Sequence, residues 1–142
     1  MSDPYLSSVY LRLVGLLDGI LALRQQDPTY RLLSLHEELA MEVVGRRGPM
    51  PMSELAQALG LLPSTLTGVV DRLVRQRIVC RESSPKDRRV VLVRLSEHGC
   101  RLYKKHQAFV LRHVGRMLQV LRGPERQAFV DLLDRITAQL QS

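Results

Sequence analysis

Aromatic residues are scarce in this 142-residue chain, where four Tyr and two Phe stand without a single Trp, and none of them lies between residues 31 and 102. RNA and single-strand binding modules present aromatic platforms for stacking bases, so the middle of the chain does not suit that chemistry. Cysteine is as thin, with only Cys80 and Cys100 and no C-x-x-C spacing. Two such thiols cannot staple a domain of this size, which points to a reducing compartment. Long apolar runs are missing too: the stretch from Leu6 to Leu23 is interrupted by Arg12 and Asp18, and Asp3 precedes it. This argues against a signal peptide or a spanning helix and for a cytoplasmic protein with no membrane partner.

Catalytic signatures are absent as well. No G-x-S-x-G, no P-loop and no G-x-G-x-x-G after a strand appears, so neither an enzyme nor a bound cofactor is expected. The four histidines, His36, His98, His106 and His113, include no i, i+4 pair and no H-E-x-x-H. No metal site is expected from them, and packing or solvation is their ordinary role.

What the chain has in excess is positive charge, 21 basic residues against 14 acidic ones, giving a net +7. Residues 61–105 hold eleven of the basic groups and four of the acidic ones, while the remainder holds ten of each. The whole excess therefore sits in one central third. Eighteen of the 21 are Arg, but a compositional bias would enrich every segment alike, and the flanks are neutral. Localised charge of this kind is what phosphate binding requires, because each neutralised phosphate releases condensed counterions. Hydrophobic content of 45% and charged content of 25% are otherwise those of a globular domain.

Leu6, Val9, Tyr10, Leu13, Leu17, Ile20 and Leu21 recur at the three-and-four spacing of a helical stripe that ends near Asp27-Pro28. Ser34-Leu35-His36-Glu37 has the capping-box pattern and opens a second helix carrying Leu35, Leu39 and Val43. Gly48-Pro49-Met50-Pro51 reads as a short extended connector. Ser53 is placed to cap a two-turn helix over Glu54 to Leu59, with Gly60 as its left-handed stop. Pro63 suits the first position of a longer helix through Leu66, Val69, Val70 and Leu73 to about Gln76. Short helix, tight turn and longer helix make a helix-turn-helix.

Ile78 to Glu82 and Val90 to Leu95 are β-branched runs around a polar loop, a hairpin that must lean on the preceding helices. Ser96-Glu97 starts a further helix that Gly123-Pro124 should break, and a last helix presents Phe129, Leu132, Leu133, Ile136 and Leu140 on one side. The expected architecture is mainly α with a small β-hairpin wing (α+β): a winged helix-turn-helix over residues 31–99, with helical dimerisation segments at 1–30 and 100–142. Apolar terminal helices left over from so small a unit are most economically covered by a second subunit, giving a twofold homodimer.

Ser64-Thr65-Leu66-Thr67-Gly68-Val69-Val70-Asp71-Arg72-Leu73, Ile78-Val79-Cys80-Arg81, Pro85-Lys86-Asp87-Arg88-Arg89 and Leu95-Ser96-Glu97-His98-Gly99 occur in this order. In residue type and spacing they resemble the MarR family of winged-helix transcriptional regulators, most strongly over residues 53–99. The resemblance implies a dimer on a pseudo-palindromic site in double-stranded DNA, usually repressing a nearby gene and released by a small phenolic or other anionic effector. Ser64, Thr65 and Thr67 then open the recognition helix, with Arg72 and Arg75 further along it, and Lys86, Asp87, Arg88 and Arg89 form the wing. Thr67 has an alternative, a bond back into its own helix, and Arg72 and Arg75 either hold phosphates or are solvated. One of the two wing arginines is expected to be structural, paired with Asp87 or the supporting helix. No effector-binding residue matches a transferable motif.

Three departures from the family pattern stand out. Arg77 occupies a position usually held by Gly, Ser96 replaces the commoner Thr, and no cysteine precedes Cys80. The last makes thiol sensing a minor alternative, in which Cys80 reads as a buried strand residue and Cys100 as a helix-start thiol. A sequence-tolerant architectural DNA-binding protein is the other alternative.

Overall fold

The computed structural model describes residues 3–142, the side chain of Tyr30 excepted, so the first two residues of the expected 1–30 segment lie outside the described part. The elements are α1 (Pro4–Gln26), α2 (Leu35–Arg47), β1 (Met50–Pro51), α3 (Met52–Leu59), α4 (Pro63–Arg75), β2 (Val79–Ser83), β3 (Val91–Leu95), α5 (Glu97–Leu118) and α6 (Gly123–Gln141), with a 3-10 turn at Tyr30–Leu32. The fold is mainly helical with a three-stranded antiparallel sheet in the order β1-β3-β2.

Two compact units divide the chain, Met1–Gln107 and Ala108–Ser142. The end of α1 is tied into the first unit. Arg24 pairs with Glu38 of α2 at 2.6 Å, and Asp27 meets His106 at 3.2 Å. Asp27 also accepts from the Thr29 amide, so its carboxylate fixes the turn that follows α1.

In the first unit the core lies between α2, α3, α4 and the sheet. Ala40, Met41 and Val44 from α2, Leu55 from α3, and Leu66, Val69, Val70 and Leu73 from α4 close on Met50, Ile78, Val79 and Val93. Burying each such aliphatic side chain favours folding by about 1.5–3 kcal/mol. The helical period explains α4: positions 66, 69, 70 and 73 form one stripe, and the polar residues between them face outward. On α2 the buried stripe is shifted from the expected one. Leu35 and Leu39 stay exposed, while Glu37 and Glu38 are buried.

The capping box at the start of α2 is present, Ser34 and Glu37 bonding reciprocally. Gly60 ends α3 in the left-handed region at φ 63°, and Pro63 takes the first turn of α4. Ser53 does not cap α3: the helix starts at Met52, two residues before Glu54, with Pro51 at the cap and no side-chain bond. The cause is β1, whose pairing of Met50 with Val93 and Pro51 with Leu92 makes the expected connector a sheet edge and sets where the helix begins. Proline is tolerated there because an edge strand needs no second ladder partner.

The hairpin forms at Val79–Ser83 and Val91–Leu95, within a residue of expectation, with Cys80 opposite Arg94 and Glu82 opposite Leu92. Its far end locks onto α5. Ser96 Oγ donates towards the carbonyls of Arg77 (2.5 Å) and Ile78 (3.1 Å) and accepts from the Gly99 amide (2.9 Å), so one hydroxyl caps α5 and ties it to the start of β2. Arg77, between α4 and β2, holds φ 60°, the one non-glycine residue with positive φ among those described.

The second unit carries α6 and the end of α5, which stops at Leu118 rather than running to Gly123. No residue of α6 is buried, and Phe129, Leu132, Leu133, Ile136 and Leu140 are exposed. The same holds for α1, where Leu6, Tyr10, Leu13, Leu17, Ile20 and Leu21 face solvent. By length and composition alone α1 is long and apolar enough to cross a membrane, a test that core helices of soluble proteins also pass.

Candidate nucleic-acid interface

The N-terminal turn of α4 presents Ser64, Thr65 and Thr67, all exposed. Leu66 between them is buried, which anchors the turn on the core and turns its neighbours outward. Thr67 donates to the Pro63 carbonyl at 2.9 Å, the helix back-bond that was its alternative role. Ser64 and Thr65 make no side-chain bond, and their hydroxyls are open at the positive end of the helix.

Further along α4 the two arginines part company. Arg75 is exposed and makes no ion pair, whereas Arg72 turns back to α2 and bonds Glu37 through Nε at 2.6 Å. Glu37 is only 4% exposed and also accepts from Gln76 Nε2 (3.4 Å) and the Ser34 amide (3.3 Å). Burial pushes its carboxyl pKa up, but the bonds from Arg72 and Ser34 outweigh this, and the net displacement is below the ordinary carboxylate value. The charged form of the carboxyl is therefore favoured where it meets α4. Sequence reasoning treated Glu37 as a capping residue and Arg72 as a phosphate or solvent residue, and missed this pair, since nothing in the linear pattern connects positions 35 residues apart.

The wing spans Ser84 to Val90, closed by a bond from the Ser84 amide to the Val90 carbonyl at 2.8 Å. Asp87 organises its tip: its carboxylate accepts from the Arg89 amide (3.0 Å) and pairs with Arg89 Nε (3.3 Å), an Asx turn with a charge on it. Of the two wing arginines it is Arg89, not Arg88, that pairs with Asp87. Lys86 and Arg88 are exposed with no side-chain partner. Two further ion pairs brace the hairpin, Arg81 with Asp71 of α4 and Arg94 with Glu82 across the strands, both at 2.6 Å. They consume two of the central arginines internally.

No group of His, Cys, Asp and Glu capable of holding a metal ion occurs among the described residues. His106 is buried against Asp27, and His113 Nδ1 lies 2.9 Å from the Phe109 carbonyl. Cys80 is half-buried rather than buried as its strand position suggested, because it faces the outer side of the sheet with Glu82 and Arg94, and Cys100 is exposed on α5.

A two-helix motif carrying an outward N-terminal turn, followed by a braced basic hairpin, defines a winged helix-turn-helix domain. Residues 33–91 match the model of the MarR family. Among curated relatives it is 34% identical over 73 residues to YhbI of Bacillus subtilis, an uncharacterized HTH-type transcriptional regulator, covering 51% of this chain and 47% of that protein. The chain thus spans about half the length of that relative. The family and its relatives are transcriptional regulators, not enzymes.

Solved structures share the fold over nearly the whole chain. Streptococcus pneumoniae FabT, solved in complex with DNA, superposes with a TM-score of 0.85 at 20% identity, covering 95% of this chain and 96% of its own. Streptomyces coelicolor PcaV, solved with its natural ligand, gives 0.73 at 22% identity, covering 97% and 98%.

Proposed function

We propose that the chain binds double-stranded DNA as a homodimer on a pseudo-palindromic operator, acting as a repressor that a small phenolic or other anionic molecule releases. The observation that carries this is the exposure, on one braced unit, of the free hydroxyls of Ser64 and Thr65 together with the unpaired cations of Arg75, Lys86 and Arg88. Hydroxyls at the start of a recognition helix can reach base edges and phosphates in the major groove. A guanidinium on a hairpin tip suits the adjacent minor groove, where narrow A·T tracts deepen the negative potential. Arg88 is the groove-entering arginine in this reading, and Asp87 with Arg89 shapes the loop that presents it.

The dimer reading rests on α1 and α6, neither of which buries a residue in its own subunit. A second copy is the occupant that covers both and also provides the twofold symmetry of a palindrome. Because α1 has the length and composition of a membrane span, a lipid surface is the competing cover. Sedimentation of the purified protein with and without anionic vesicles separates the two. The effector part is supported by the ligand-bound PcaV structure and by the family resemblance. A protein acting on DNA in this way works in the cytoplasm.

The decisive experiment is selection of genomic fragments by the purified protein at about 0.15 M salt, near physiological ionic strength, followed by sequencing. A recurring palindrome with half-sites about 10 bp apart is the expected result. Retention without any shared site, falling only with salt, would replace this reading with an architectural one.

A further inference from the structure

We infer that Glu37 is a positioning residue for the recognition helix, acting through Arg72 and Gln76 and setting how the N-terminal turn of α4 is presented; this rests on the DNA-binding reading above. α4 is held to α2 by apolar contacts along a single stripe, Leu66, Val69, Val70 and Leu73, all on one face. Such contacts are not directional and leave rotation about the helix axis and sliding along it weakly specified. The polar bonds supply what the stripe lacks. Glu37 Oε1 receives Arg72 Nε at 2.6 Å and Oε2 receives Gln76 Nε2 at 3.4 Å, so one buried carboxylate takes one donor from the last turn of α4 and one from the residue that caps it. The Ser34 amide donates to the same Oε2 at 3.3 Å, while the Glu37 amide donates to Ser34 Oγ, so the reciprocal cap ties the carboxylate to the start of α2. The carboxylate cannot shift without breaking the start of α2.

Its neighbour provides the control. Glu38 is also buried, but it serves the opposite side, bonding Arg24 of α1 at 2.6 Å, with no bond to α4. Removing either carboxyl charge perturbs the same turn of α2 and lowers stability, yet only Glu37 touches the recognition helix. A merely structural role for Glu37 predicts that Glu37→Gln and Glu38→Gln behave alike towards DNA once both are folded. The positioning role predicts that they do not.

The experiment compares wild type, Glu37→Gln, Arg72→Met, the double variant and Glu38→Gln at a temperature where circular dichroism shows each folded. Affinity is measured by fluorescence anisotropy for the selected operator and for unrelated duplex DNA across a salt series. Expected for Glu37→Gln is a roughly tenfold loss for operator with unrelated duplex bound no more weakly, so that the specificity ratio falls. Arg72→Met gives the same loss with an unchanged salt slope, and the double variant is no worse than the weaker single, because the two residues form one link. Glu38→Gln keeps the wild-type ratio.

An unchanged ratio in Glu37→Gln overturns the proposal. So does a salt slope reduced by about 1 in Arg72→Met with additive losses, which makes Arg72 a phosphate contact instead. Hydrogen exchange of the free protein supplies a readout independent of DNA. Amides of residues 64–75 exchange faster in Glu37→Gln and not in Glu38→Gln; equal rates in both refute the link. If wild type selects no operator, the DNA-binding reading fails on that result, and the exchange data still decide whether Glu37 holds α4.

Discussion

A Cβ placed on Gly99 would run into the backbone carbonyl of Ile78, so the start of α5 lies on the start of β2 at a distance only glycine permits. The obstacle is a backbone atom, which cannot swing aside as a flexible side chain can. The same carbonyl accepts the Ser96 amide at 2.9 Å, which fixes the approach. Gly99→Ala should therefore destabilise the winged unit by about 1–3 kcal/mol or more, the usual scale for forced overpacking. Urea unfolding followed by circular dichroism measures it, and a midpoint equal to wild type would show that the two elements separate easily.

Arg77 sits nearby with φ 60°, where a side chain crowds its own backbone. Glycine is free of this strain, although it also loosens the unfolded chain, so the gain is partial. Arg77→Gly is expected to raise stability by about 0.5–1 kcal/mol, or about 2–4 °C in Tm for a domain of this size. Thermal unfolding decides, and a lower Tm would mean that the Arg77 side chain stabilises the turn by more than its backbone strain costs.

Glu37 makes stability depend on pH in a defined direction. Its carboxyl pKa in the folded chain is below its ordinary value of 4.5, because the bonds from Arg72 and Ser34 outweigh burial. Between the folded and unfolded pKa values the unfolded chain binds more protons, so stability rises with pH there. The contribution is complete above about pH 4.5 and is lost as pH falls through the folded value. Urea midpoints from about pH 3 to 7 should show a shallower acid limb in Glu37→Gln than in wild type. At neutral pH the variant should be less stable by about 1–3 kcal/mol, the range for hydrogen bonds to a buried charged group. An unchanged acid limb would mean that other carboxylates dominate acid unfolding.

Local rules made much of this fold readable. The capping box at Ser34 and Glu37, the left-handed stop at Gly60, Pro63 opening α4 and the β-branched runs of the hairpin depend on neighbours a few residues away, and the structure has them where the pattern predicts. What the pattern did not contain was pairing across the fold. β1 is two residues long, too short for any periodicity, and exists because Met50 and Pro51 meet Val93 and Leu92. Asp27 with His106, Arg24 with Glu38 and Arg72 with Glu37 join positions 79, 14 and 35 residues apart. The net charge of the central third likewise identified a basic region without telling which arginines were already paired, and Arg72, Arg81 and Arg94 are.

The wing gives the sharpest test of the interface. Arg88 is exposed and unpaired at the tip, so in the proposed complex its guanidinium is free to enter a groove without first breaking a bond. Arg88→Ala should weaken operator binding by about 1–3 kcal/mol, the scale of one good arginine contact. Arg89 differs, since its side chain is 92% exposed yet pairs with Asp87, and that exposed ion pair adds little to stability. Arg89→Ala leaves the bond from its own backbone amide to Asp87 in place, so the turn persists. Its loss of affinity should be the smaller of the two, whereas Asp87→Ala removes the acceptor and frees the loop, weakening binding although it deletes a negative charge near DNA. Fluorescence anisotropy on one operator duplex ranks the three variants. Tighter binding by Asp87→Ala would mean that simple charge governs the wing, and unchanged affinity in both arginine variants would remove the wing from the interface.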